Sequence, residues 1–153
     1  GMDDAYYLDR YGATHWAIPG PAEKLGARVL AADDLPHPGL SLFLFELTNQ
    51  PEGALLLDAE GGLLITCDSV QHWAPSDLMS LPAKLVTWGL GFQHPAQIGP
   101  PWRKVMTPEG GTLRPDFERL MALPFAHLIG GHGGLCRGEA KLRLGETIAR
   151  VFG

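Results

Sequence analysis

ALLLDAEGGLLITCDSVQHW, residues 54–73, holds two short apolar runs, 54–57 and 63–67, joined by Asp58-Ala59-Glu60-Gly61-Gly62. Two runs of strand length on either side of a short glycine-containing loop predict a β-hairpin. Both runs are apolar almost without alternation, which predicts a sheet covered on both faces. The second run leads straight into Asp68, a carboxylate at the mouth of a buried strand. An ionised carboxylate is costly there unless hydrogen-bond donors or a cation meet it. Asp68 therefore either caps the next segment through its side chain or faces a cation.

Upstream of the hairpin, residues 40–47, LSLFLFEL, are apolar on both faces and form the clearest further strand. The turn Thr48-Asn49-Gln50-Pro51-Glu52-Gly53 joins it to the hairpin. Nearer the N-terminus, residues 3–12 read as a helix with Asp3 or Asp4 at its start and Gly12 just past its end. Short strands are expected at 14–18 and 28–32, with one helical turn at 22–25 between them. His37, among prolines, is expected to be a solvent-exposed turn residue.

Downstream, a proline-interrupted stretch comes after Trp73, and 85–90 is a short strand or helical turn. Residues 91–104, GFQHPAQIGPPWRK, are too rich in Gly and Pro to predict regular structure. A loop of this length that keeps Phe92, His94, Ile98 and Trp102 is expected to be functional or packed over the core. Residues 113–123 form a helix with Pro115 in its first turn and Phe117, Leu120 and Met121 on one stripe. A strand at 125–129 then enters Gly130-Gly131-His132-Gly133-Gly134, and 138–152 close as an amphipathic helix. Its Glu139/Arg143 and Glu146/Arg150 are i,i+4 pairs in the favourable order.

The 153 residues suit a single domain, 2–153, with a sizeable core; Gly1 ahead of Met2 reads as a residue left by a cleaved tag. Hydrophobic residues are 45% and charged residues 19%, a globular balance. The net charge is −5 and the 12 Lys and Arg are scattered, which argues against nucleic acid or an anionic membrane as partner. No apolar run approaches the ~20 residues of a membrane span, and no basic-then-apolar leader is seen. Two distant cysteines without a CxxC pair point to a reduced, cytoplasmic setting.

The chemistry-bearing residues stand at strand ends. Glycines on both sides of His132 let the backbone turn sharply and keep the imidazole accessible. Asp68 and His132 could converge on one cation, since both are good ligands for zinc, iron or manganese. His127 is expected to be packed or capping. Cys67 is expected to be a buried, inert thiol, with no basic neighbour to activate it towards His72.

The order of these elements, with LLLDAEGGLLITCDSV and PFAHLIGGHG in place, resembles the C-terminal half of the metallo-β-lactamase-like hydrolases. The resemblance covers residues 39–152 and more faintly the N-terminal helix and GATHWAIPG. It implies an α/β fold, an incomplete αββα sandwich, with Asp68 as the bridging aspartate and His132 as the last histidine of the metal site. The family's HxHxDH motif is absent; Asp3 falls where its aspartate would be and Asp4 where its last histidine would be. The middle histidine of the family falls near 48–51, where there is none, and Cys67 replaces the usual Gly before the aspartate. Either the gene begins upstream of Met2, or the chain is a shortened, metal-poor relative. The missing strands imply an exposed edge and hence a homodimer, or an N-terminal helix laid over that edge.

The function implied by this resemblance is that of a metal-dependent hydrolase of an unidentified small molecule, with a degenerate or incomplete site. Asp68 and His132 would be the catalytic ligands, supplemented by Asp3, Asp4, His72 or His94, with zinc, iron or manganese bound or no metal at all. Spare carboxylates or His72 would serve as acid and base. The alternative is a non-catalytic binding or assembly protein on the same scaffold, using the 91–104 loop.

Overall fold

The predicted hairpin forms the middle of the main sheet. A computed structural model of the chain describes residues 3–73, 80–89, 91–92 and 94–153. Strands β4 (Gly53–Leu57) and β5 (Leu63–Ile65) pair antiparallel, with Leu56 opposite Leu64. Their loop turns through positive φ at Glu60, Gly61 and Gly62. At Gly62 a Cβ would run into the Pro124 carbonyl, so only glycine allows this approach. The Gly62 carbonyl in turn accepts the Ala126 and His127 amides, both at 3.0 Å. That contact guides β8 (His127–Ile129) into place, parallel to β5. With β3 (Leu40–Leu44) antiparallel to β4, the sheet order is β3-β4-β5-β8.

One row across this sheet, Leu56–Leu64–Leu128, is buried and joins Phe43 and Ala54 in the core. Helices α5 (Arg114–Ala122) and α6 (Ala140–Phe152) supply the other half of that core through Phe117, Leu120 and Leu144. Their apolar spacing matches the expected stripes. The opposite face of the sheet carries the row Leu42–Leu55–Ile65–Ile129. Those side chains are half-buried, and Ile129 is exposed. Period-two alternation sends every second apolar residue there, and the helices cover the other side only. The expectation of a sheet covered on both faces is therefore corrected.

Residues 91–104 are more regular than their composition predicts. Strand β7 (Gln97–Ile98) pairs antiparallel with β6 (Val70–Gln71), and α4 (Pro100–Met106) begins at once. The two prolines stand in the first turn of α4, where no intrahelical donor is needed, and so start the helix. Trp102 and Met106 of α4 are buried. The segment expected as a short strand or turn at 85–90 belongs to a helix, α3 (Leu81–Gly89), that buries no residue. Most of the proline-interrupted stretch before it, with positions 90 and 93, lies outside the described residues.

The N-terminal region keeps its predicted order as α1 (Asp4–Tyr11), β1 (Trp16–Ala17), α2 (Pro21–Leu25) and β2 (Arg28–Val29). Gly12 closes α1 at φ 59°, donating its amide to the Leu8 carbonyl at 3.0 Å. Asp3 makes no side-chain cap. Strands β1 and β2 form their own parallel pair, apart from the main sheet. The whole is a mixed α/β architecture. Among the described residues no helix is long and apolar enough to cross a membrane.

Candidate functional site

The site begins where β5 ends. Thr66 points inward and its hydroxyl donates to the Val70 carbonyl at 2.6 Å, tightening residues 66–70 into a turn. Alternation then sends Cys67 outward, so it is exposed rather than buried as expected. The glycine-rich loop after β8 clamps this turn by its backbone. The Gly131 amide donates to the Cys67 carbonyl and the Gly134 amide to the His72 carbonyl, both at 2.8 Å. Between them Gly133 lies at φ 90°, where a Cβ would collide with the His72 carbonyl. Gly130 is also pressed close, its ideal Cβ only 2.5 Å from the Val70 carbonyl oxygen. These glycines are what allow the two strand ends to meet, with His132 carried over Asp68.

His132 Nε2 and Asp68 Oδ1 are 3.1 Å apart, with side chains 59% and 45% exposed. Asp68 Oδ1 also accepts from Gln71 Nε2 at 3.3 Å. Buried Gln71 is itself held by Trp73, whose indole N–H donates to its Oε1 at 2.8 Å. The Trp73 ring stacks on His132 with an interplanar angle of 17°. Among the described residues, Asp68 thus takes a side-chain donor, Gln71, beside its His132 contact and does not cap the next segment. The pair stands at one end of a cleft of about 520 Å³ whose apolar walls include Trp73, Phe92, Trp102 and Val105.

Beside this cleft lies a residue that the spacing of motifs did not reveal. Glu52 accepts the Trp102 indole N–H at 2.8 Å and the Gly53 amide at 3.2 Å. Burial raises its carboxyl above the ordinary range, the Trp102 and Gly53 donors oppose this, and the charge of Asp68 adds to the rise. Its sequence signal was only an acidic residue in the turn before a buried strand. Cys67 is also raised, by desolvation of its sulfur and then by the charges of Asp68 and Glu52. Its thiol is therefore not activated, as expected from the lack of a basic neighbour.

The supplementary ligands do not join the pair. Asp3 is exposed at the start of α1, and Asp4 lies 3.6 Å from His15 Nε2, lining a different cavity. His72 is half-buried, its Nδ1 accepts the Ala96 amide at 3.3 Å, and burial lowers its pKa. His94 is exposed and lines another pocket. His127 is fixed between the Glu60 carbonyl at 3.0 Å and the Gly138 amide at 3.1 Å, a structural role as expected. His37 caps its own turn by accepting the Gly39 amide at 3.0 Å. Among the described residues, no group of three or more His, Cys, Asp or Glu could hold a metal ion. Compared with protein-family models and with curated proteins, the chain finds no match.

Proposed function

We propose that the chain is a metallo-β-lactamase-like protein, an incomplete αββα sandwich, whose Asp68–His132 cleft is an incomplete metal-dependent hydrolase site. The observation that carries this reading is the meeting of two strand-end residues at 3.1 Å. Bonds of about 2.0–2.2 Å put two donors of one tetrahedral zinc about 3.3–3.6 Å apart, so Asp68 and His132 come close to one edge of such a site. They do not fit a whole one, because a catalytic zinc takes three protein ligands and the described residues offer two. Zinc, manganese or iron, when bound, supplies a water of lowered pKa.

The chain's own groups supply positioning. Trp73, Phe92 and Trp102 exclude water from an apolar substrate body, and Asp68 orients His132. The substrate is a small, largely apolar molecule with a single polar end.

Metal content after dialysis against zinc, manganese and iron, measured beside Asp68→Ala and His132→Ala, tests this reading. The expected result is weakly retained metal that either substitution removes. Wild-type metal no higher than in the two variants would sink the metal-dependent reading.

A second reading, a binding or assembly protein on the same scaffold, has its own support. The chain exposes 9361 Å², about a quarter more than the roughly 7,500 Å² expected for its mass. Helices α1 and α3 bury no residue, and Tyr6, Tyr7, Tyr11, Leu81, Leu85 and Trp88 are exposed. The surplus exceeds the ~800 Å² that each partner gives to a standard interface. On this reading the chain is a homodimer, and sedimentation showing a monomer at micromolar concentration would count against it.

A further inference from the structure

A second cavity, of about 200 Å³, shares no lining residue with the Asp68–His132 cleft. His94, Gln97, Arg103 and Arg150 line it, with the apolar Ile98 and Val151. Its two arginines come from different elements. Arg103 comes directly after the cleft residue Trp102 on α4, and Arg150 stands in the last turn of α6, which packs against β7.

The protein carries a net charge of −5, yet this cavity is bordered by arginines. Arg28, Arg114, Arg119 and Arg143 each have a carboxylate partner. Arg103 and Arg150 have none among the described residues. The expected Glu146/Arg150 pair does not form, because Arg143 takes Glu146 at 3.3 Å. Arg150 instead donates to the Thr147 hydroxyl at 3.2 Å. Two guanidinium groups without acid partners thus border one small cavity.

Gln97 gives the independent observation. Its side chain is 2% exposed, and its amide nitrogen has no hydrogen-bond partner among the described residues. A buried amide N–H without a partner has lost its hydration for nothing, and such a group gains from any acceptor that reaches it. Guanidinium forks and an amide N–H are all donors, and only an acceptor-rich, negatively charged group answers them together. Arginine matches carboxylate and phosphate oxygens in particular, since its planar fork presents two parallel donors. The cavity is smaller than the ~300–1,000 Å³ of pockets for drug-sized ligands.

We propose that this cavity is an anion site for a small carboxylate- or phosphate-bearing molecule. The oxyanion lies between Arg103 and Arg150, and Gln97 donates to it from the buried wall. The site is independent of any metal at Asp68 and His132.

The test is thermal unfolding and calorimetry of the whole chain with inorganic phosphate and with citrate. Sodium chloride at matched ionic strength removes general screening. The wild type is expected to gain several degrees in Tm with at least one of the two anions. Arg103→Gln and Arg150→Gln should each weaken binding tenfold or more; the exposed position of Arg150 keeps its variant folded. Gln97→Leu should also weaken binding, yet melt no lower than the wild type without anion, because it removes an unpartnered donor. A response to phosphate alone assigns a phosphoryl ligand, and a response to citrate alone assigns a carboxylate. Equal melting in phosphate, citrate and chloride would overturn the proposal, as would binding that survives both arginine substitutions.

Discussion

Asp116 and Asp68 are both carboxylates paired with a cationic or cation-forming side chain, and they are built in opposite ways. Asp116, early in α5, is 1% exposed and saturated. It accepts the amides of Glu46 and Leu47, the latter at 2.8 Å, and Arg119 Nη1 at 2.8 Å. Arg119 reaches on to the Leu44 carbonyl at 3.2 Å, so the pair stitches α5 to the chain leaving β3. Asp68 is nearly half exposed, and its carboxylate partners among the described residues are two side chains, Gln71 and His132. A buried carboxylate persists only when its acceptors are filled. An open one with acceptor capacity left over can take a ligand. The first holds the fold, and the second stands ready at a cleft.

Removing the sealed carboxylate should have the largest effect. Asp116→Ala leaves the Glu46 and Leu47 amides without an acceptor and leaves Arg119 with the exposed Glu46 carboxylate, at 3.0 Å, as its acid. Breaking a buried pair from one side costs about 3–5 kcal/mol, and because Arg119 is 42% exposed the lower end, about 3 kcal/mol, applies here. Urea unfolding with an unchanged slope would register this as a drop in midpoint. A loss below about 1 kcal/mol would break the contrast with Asp68.

Next comes the clamp that brings His132 to Asp68. Gly133→Ala forces a side chain into a left-handed conformation and against the His72 carbonyl, whereas a Cβ at Gly134 meets nothing within 4 Å. The first should cost about 2 kcal/mol and the second under about 0.5 kcal/mol. His132 should also lose its contact with Asp68 in Gly133→Ala, visible as changed imidazole chemical shifts by NMR. Equal losses at the two glycines would mean that the loop does not rest on the His72 carbonyl.

Much of this was legible in the chain. The hairpin at 53–65, both long C-terminal helices and the meeting of Asp68 with His132 arise from apolar runs, turn glycines and strand ends. Those signals are local, and the structure keeps them. The features that were not legible depended on distant partners. Asp116 looks like an ordinary acid early in a helix, and nothing local says that the amides of residues 46 and 47 will arrive at it. Glu52 likewise owes its state to Trp102, fifty positions away. Residues 91–104 misled because Pro100 and Pro101 read as breakers, although the first turn of a helix tolerates them. Cys67 misled by its apolar neighbours, since one turn of alternation decides whether a strand-end residue faces in or out. The two covered faces expected of the sheet failed for a related reason, because apolar composition does not say how many layers the chain provides.

The open carboxylate should matter little to stability. Asp68→Asn removes a carboxylate–imidazole contact whose two side chains are about half solvated, and such contacts contribute roughly 0–1 kcal/mol even when charged. The unfolding midpoint should therefore move by less than about 1 kcal/mol, while any retained metal falls to background. A loss as large as that of Asp116→Ala would show that Asp68 is structural, and that the cleft is a consequence of packing.

Glu52 lies between the two types, and its titration is the finest test of the contrast. It is half-buried like a structural acid, yet among the described residues it has only the Trp102 and Gly53 donors, fewer than Asp116 collects. Burial therefore outweighs its hydrogen bonds and raises its pKa in the folded state. A group raised on folding adds stability that is fully present below its unfolded pKa, about 4.3 for a glutamate, and lost as the pH rises through the folded value. Glu52→Gln lacks this contribution at every pH. The stability of the variant relative to wild type should therefore climb with pH across that window and level off above it. Denaturant midpoints from about pH 3.5 to 7.5 would reveal the slope. If the two curves stay parallel, the donors at Glu52 match its burial, and it belongs with Asp116 among the saturated carboxylates.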